Sequence, residues 1–138
     1  MTTRTLLAIA AVLLITGCSA KVSTAQLSDL KVCSGIEKTV CISDEPVIEA
    51  HTRIIYASAV VNNAPDNTKI NISWRHVDKG LNIGSMLLEA DGTRPLYGTL
   101  GMPDDAPEGA FWPQGTYEVT FVVDNDPAKT LRKTFQVK

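Results

Sequence analysis

The sequence predicts an all-β domain, a β-sandwich of about seven short strands. Three observations carry this. From Val47 onward the chain is rich in Ile, Val, Tyr and Thr and is cut by turn residues at short, regular intervals. Several of these segments alternate apolar and polar side chains with a period of two. No stretch carries a convincing helical period.

Taken in order, Leu30–Cys33 and Lys38–Ile42 read as short strands around Ser34-Gly35-Ile36-Glu37, and Pro46 interrupts at a strand start or edge. His51–Val61 is the next strand, ending at the turn Asn62-Asn63-Ala64-Pro65-Asp66-Asn67. In Lys69–Val77, Ile70, Ile72 and Trp74 share one face while Asn71, Ser73 and Arg75 take the other. Asp78-Lys79-Gly80 turns the chain into Leu81–Glu89, and Ala90-Asp91-Gly92 turns it again into Arg94–Leu100. Gly101–Gly115 is a long Pro/Gly-rich connection. Tyr117, Val119, Phe121 and Val123 then share a face, and after Asp124-Asn125-Asp126-Pro127 the residues Leu131, Lys133, Phe135 and Val137 alternate to the end.

Two positions sharpen the class. Trp74, mid-strand, resembles the core tryptophan of strand C in an immunoglobulin-like domain, and Gln114-Gly115-Thr116-Tyr117-Glu118-Val119 resembles the start of strand F. The resemblance implies that the Tyr117 hydroxyl bonds back to the backbone at the corner. Val119 stands where that family carries its inter-sheet cysteine, so apolar packing against Ala57 or Ala59 must serve instead. The resemblance runs from about Glu49 to Lys138. It speaks for the fold and hardly at all for function, because this fold hosts many unrelated activities.

The N-terminal part reads differently. Arg4 precedes the unbroken apolar run Leu6–Ile15, whose roughly ten residues suit a signal-peptide core and fall well short of the twenty that span a bilayer. Leu14-Ile15-Thr16-Gly17-Cys18 resembles a bacterial lipobox. The resemblance implies cleavage before Cys18, a diacylglycerol on the Cys18 sulfur and an acylated new N-terminus, so that several chains anchor the protein where one would be marginal. Ser19, rather than aspartate, follows the cysteine, which by the family rule of Gram-negative lipoproteins points to the outer membrane, periplasm-facing. Residues 1–17 are then leader, 18–29 a lipidated cysteine with a flexible tether, and 30–138 the folded domain.

Composition narrows the functions. The whole chain carries a formal charge of −2, and removing Arg4 with the leader leaves twelve basic side chains against fifteen acidic ones. No basic stripe is present, so nucleic acid is not an expected partner. Cys33 and Cys41, a pair in an oxidising compartment, read as one disulfide; two free buried thiols are the alternative. His51 and His76 are the only histidines, neither with a cysteine or carboxylate at ligand spacing nor a nucleophile nearby, so no catalytic residue, metal ligand or cofactor is expected. Asp104, Asp105 and Glu108 match no defined cation loop and read as a solvated acidic segment. Met86-Leu87-Leu88 must turn at least one apolar side chain away from the core.

Phe111 and Trp112, at the end of the long connection, are the candidate partner-binding residues, since aromatic side chains anchor interfaces. The competing expectation is that a ring folds back, Trp112 in particular, to close the end of the sandwich. The reading that follows is a lipid-anchored, non-catalytic envelope module, attached to the membrane through its lipid, that binds or scaffolds another periplasmic or outer-membrane component. An inhibitor of a hydrolase acting through the 101–115 loop is the alternative. A rigid apolar tip would favour the inhibitor, and a disordered acidic loop would argue against it.

Overall fold

A computed structural model describes residues 23–138. The expected leader and Cys18 lie outside the described residues. The elements in chain order are β1 (Gln26–Cys33), β2 (Ile36–Glu37), β3 (Val40–Cys41), β4 (Val47–Ile48), β5 (Ile54–His76), β6 (Leu81–Gly101), β7 (Gly115–Val123), a 3₁₀ turn (Pro127–Lys129) and β8 (Thr130–Val137).

The expected turns at Asn62–Asn67 and Ala90–Gly92 do not end their strands. β5 and β6 run on as one antiparallel ribbon of 23 and 21 residues. Its register shifts between Val61 and Ala64 and again between Ala64 and Thr68. Asn63, Asn67 and Gly92 take positive φ there, conformations that Asn and Gly adopt at little cost. Turn chemistry therefore acts here as a bend within a ladder, not as a break between strands.

The bend makes the sandwich. The first half of β5 pairs with β1 from Tyr56 to Asn62, and its second half pairs with β7 from Ile70 to His76. β6 follows both halves, while β8 and the short, parallel β4 extend the second sheet. Gly98 lies beside Ala57 in one half and Ile72 beside Met86 in the other. Yet a Cβ on Gly98 would come within 2.8 Å of the Ile72 Cδ1, so the two halves meet face to face. Seven principal strands in two layers result, an immunoglobulin-like β-sandwich.

The core follows the sequence alternation. Ile70, Ile72 and Trp74 are buried from one strand, Tyr117, Val119, Phe121 and Val123 from the next, and Phe135 and Val137 from the last. Ala57, Ala59 and Val119 all belong to that single core. Trp74 meets Phe135 edge-on, ring centroids 6.2 Å apart, an arrangement that aromatic quadrupoles favour.

The domain starts earlier than expected. Residues 26–29, read as tether, belong to β1, and Gln26 and Leu27 pair with Asn62 and Val61. Ala25 is fully buried. The weak pattern that suggested a tether reflects a strand carrying a bulge between Ser28 and Lys31, with Asp29 at φ 57°. The Cys33–Cys41 bridge is formed, with Cα atoms 5.7 Å apart, and it closes the small β2–β3 hairpin against β1.

Candidate functional site

The loop between β6 and β7 closes one end of the sandwich. Its backbone is folded into two successive turns, Ala106 N–H to Pro103 O at 2.9 Å and Ala110 N–H to Pro107 O at 3.0 Å. Gly109, at φ 81°, is the third residue of the second turn, a position whose positive φ glycine adopts at no steric cost. Met102 N–H bonds to Arg53 O at 2.9 Å, which ties the loop's entry to the start of β5.

Its exit is tied more firmly. Trp112 donates its backbone N–H to Ala50 O at 2.8 Å and its indole N–H to Thr52 O at 2.7 Å, and its ring packs half-buried against the core. The expected aromatic pair therefore divides. Trp112 closes the end of the sandwich, while Phe111, one residue earlier, is 70% exposed.

Beneath Trp112 lies a polar corner. The Tyr117 hydroxyl donates to Pro113 O at 2.5 Å, as the resemblance implied, and burial raises its pKa above the ordinary 10.0. His76, 3% exposed, stands edge-on to Tyr117 with centroids 4.6 Å apart. Its Nδ1 accepts the Lys79 N–H at 3.2 Å and its Nε2 faces Gln114 O at 3.3 Å. A neutral ring with its proton on Nε2 satisfies both contacts. Asp78 Oδ2 accepts the Thr116 N–H at 2.7 Å. Gly115, at φ 139°, lets this group close up, since a Cβ there would stand 2.3 Å from that same oxygen.

His76 thus ends its strand as a buried corner residue. The period-two series Ile70, Ile72, Trp74, His76 carried that information. His51 is surface-exposed and meets Glu49 at 3.0 Å. Asp104, Asp105 and Glu108 are exposed along the loop. Among the described residues, no three His, Cys, Asp or Glu side chains are grouped as a metal set.

Elsewhere, Leu87 is the member of Met86-Leu87-Leu88 that faces solvent, at 60% exposure. Met86 and Leu88 line an open groove of about 670 Å³ with Pro95, Leu96 and Tyr97, between the two bent halves of β6. On the opposite side, Asp44 accepts the Val32 N–H at 3.1 Å and an ion pair from Lys133. Burial alone would raise its pKa; the Lys133 and Val32 hydrogen bonds and the Lys133 and Lys31 charges outweigh that and hold it below the ordinary 3.8.

No protein-family model matches the sequence, and no curated protein does. Solved structures similar in shape include the following two. One is the Pseudomonas fluorescens alkylpurine DNA glycosylase AlkC bound to DNA containing an abasic-site analogue. It is 14% identical with a TM-score of 0.50, over 83% of this chain and 30% of that one. The other is the CARDB domain of the Pyrococcus furiosus protein PF1109 in complex with di-metal ions, 9% identical with a TM-score of 0.51, over 84% and 89%. The chain thus spans less than a third of the glycosylase. At such identities the likeness shows the fold alone: an immunoglobulin-like β-sandwich.

Proposed function

We propose that the protein is a lipid-anchored, non-catalytic module of a bacterial envelope that binds another envelope component through its Phe111 corner. The observation that carries this is Phe111 itself. A large aromatic side chain is left 70% exposed between Ala110 and Trp112, whose backbone N–H groups are bonded to Pro107 O and Ala50 O, and aromatic side chains are favoured interface anchors. The pinned backbone removes most of the ordering cost that a mobile loop would incur on binding. The corner's histidine, tyrosine and aspartate are engaged in holding its shape, which supports a binding role over a chemical one. The lipobox resemblance at Cys18 supports the anchor, and likeness to a CARDB domain fits a β-module of this kind.

A photocrosslinking residue in place of Phe111, in cells making the acylated protein, tests the reading. The expected outcome is one discrete adduct that is absent when the crosslinker replaces exposed Leu87. Equal labelling from both positions contradicts it. The pinned loop also favours the second reading, a hydrolase inhibitor acting through residues 101–115. Asp104, Asp105 and Glu108 beside the tip make it more acidic than the apolar plug expected for that role. If the adduct is a hydrolase whose activity falls on binding, the inhibitor reading stands.

A further inference from the structure

We infer that the protein stands on its membrane by the bent end of the sandwich, so that the Phe111 corner meets a protein standing clear of the lipid rather than the bilayer. This rests on the proposed acylation of Cys18. The bent end is where β5 and β6 fold over, and the N-terminal segment is fastened there. Lys129 donates to the carbonyls of Ser23 and Ala25, the latter at 2.8 Å, and Thr24 Oγ1 donates to Asn63 O at 2.8 Å. Ala25 is buried. The chain therefore leaves the domain from a fixed point at Ser23. Five backbone steps separate Ser23 from Cys18, a leash of at most about 18 Å even when fully extended.

The Phe111 corner is at the other end. β7 runs from Gly115, beside the Tyr117–Pro113 contact, to Val123, whose carbonyl accepts the Asp126 N–H just before Lys129. Nine residues of strand span about 25–30 Å. Phe111 lies beyond the Gly115 end of that length.

Charge orients the body on this leash. The bent end carries Asp66, Glu89, Asp91, Asp124 and Asp126 against Lys69, paired with Glu89, Arg94, paired with Asp91, and Lys129, turned onto backbone carbonyls, so its acidic groups exceed its basic ones by two. The corner loop presents Asp104, Asp105 and Glu108. Anionic headgroups repel both ends within a Debye length of about 8 Å. The bent end is tethered and can only pull its leash taut, whereas the corner is free to swing away. An exposed Phe on a peripheral protein is otherwise a natural lipid-interface anchor; here the geometry points it at a protein.

The test uses the full acylated protein, ¹⁵N-labelled, in nanodiscs of phosphatidylethanolamine and phosphatidylglycerol doped with a gadolinium-chelate headgroup. Intact mass establishes the acyl chains first. The expected profile is amide broadening several-fold stronger at Asn63, Asp91 and Asn125 than at Gly109, Ala110 and Phe111. A flat or reversed profile in acylated protein overturns the orientation and leaves the anchor standing, whereas an unmodified Cys18 overturns both. Lengthening the leash with a Gly-Ser insertion after Lys21 should weaken broadening at the bent end. An unchanged profile would refute the leash as the cause.

Discussion

Tyr117 shows how one hydroxyl is used. Its ring completes the inward face of β7 and stacks at 5.6 Å on Phe135, while its oxygen reaches Pro113 across the corner. Pro113 is exposed, so its carbonyl regains water if the hydroxyl is removed. Tyr117→Phe should therefore cost about 1 kcal/mol, not the roughly 3 kcal/mol of a stranded buried partner. Urea midpoints of the soluble domain check this. The raised pKa adds a sign: the neutral phenol is favoured by the fold, so its contribution is complete below pH 10.0 and is lost as pH rises through the higher folded value. Tyr117→Phe should flatten that alkaline loss. Asp44 behaves in the opposite sense. Its carboxylate is favoured by the fold, so its contribution is present above about pH 4 and is lost as pH falls through the depressed folded value. The stability difference between wild type and Asp44→Asn should shrink on acidification, and a difference constant with pH would exclude the Lys133 pair as its source.

The bent ribbon of β5 and β6 is the element on which the architecture turns, and it was half legible in the sequence. Alternation placed Ile70, Ile72, Trp74 and the β7 series correctly, because a strand with one buried face writes its register into its side chains. Asn62–Asn67 and Ala90–Gly92 were legible as turn chemistry. Whether such residues end a strand or bend it depends on the partner ladder, which local sequence does not encode. Gly98 is likewise silent in sequence, and its role appears only when the halves close on each other. A Cβ there would press on Ile72 Cδ1 at 2.8 Å, Ile72 Cγ2 at 3.0 Å and Met86 Sδ at 3.1 Å, with Ile72 fully buried. Gly98→Ala should cost about 1–3 kcal/mol by overpacking. Ile72→Val removes the atom nearest the clash and alone costs about 0.5–1.5 kcal/mol. Combined with Gly98→Ala it should cost less than the sum. Additive midpoints in a double-mutant cycle would mean the two sheets do not meet at this pair.

At the scale of the whole molecule, the N-terminal segment from Ser23 belongs to the fold, which sets where the domain begins. The small polar run Ser23–Asp29 hid this, because an edge strand with one bulge buries few side chains and shows little periodicity. Three kinds of contact hold it: burial of Ala25, packing of Leu27 on the core, and the Lys129 and Thr24 hydrogen bonds to backbone across the bent end. A domain cut at Leu30, where the sequence pattern alone would place its start, loses all three and bares the edge of β5 from Val60 to Asn62. Removing one buried aliphatic side chain typically costs about 2–5 kcal/mol, and a small domain has about 5–15 kcal/mol in all. Residues 30–138 should therefore unfold at a clearly lower urea concentration than residues 23–138, and the unpaired edge should make them the more prone to associate. The two fragments differ by seven residues and by a single charge, that of Asp29. Coincident midpoints would show that β1 before Leu30 adds nothing to the fold. On the proposed acylation of Cys18, the leash would then lengthen as the strand peels away, and the proposed stand-off of the Phe111 corner would be lost with it.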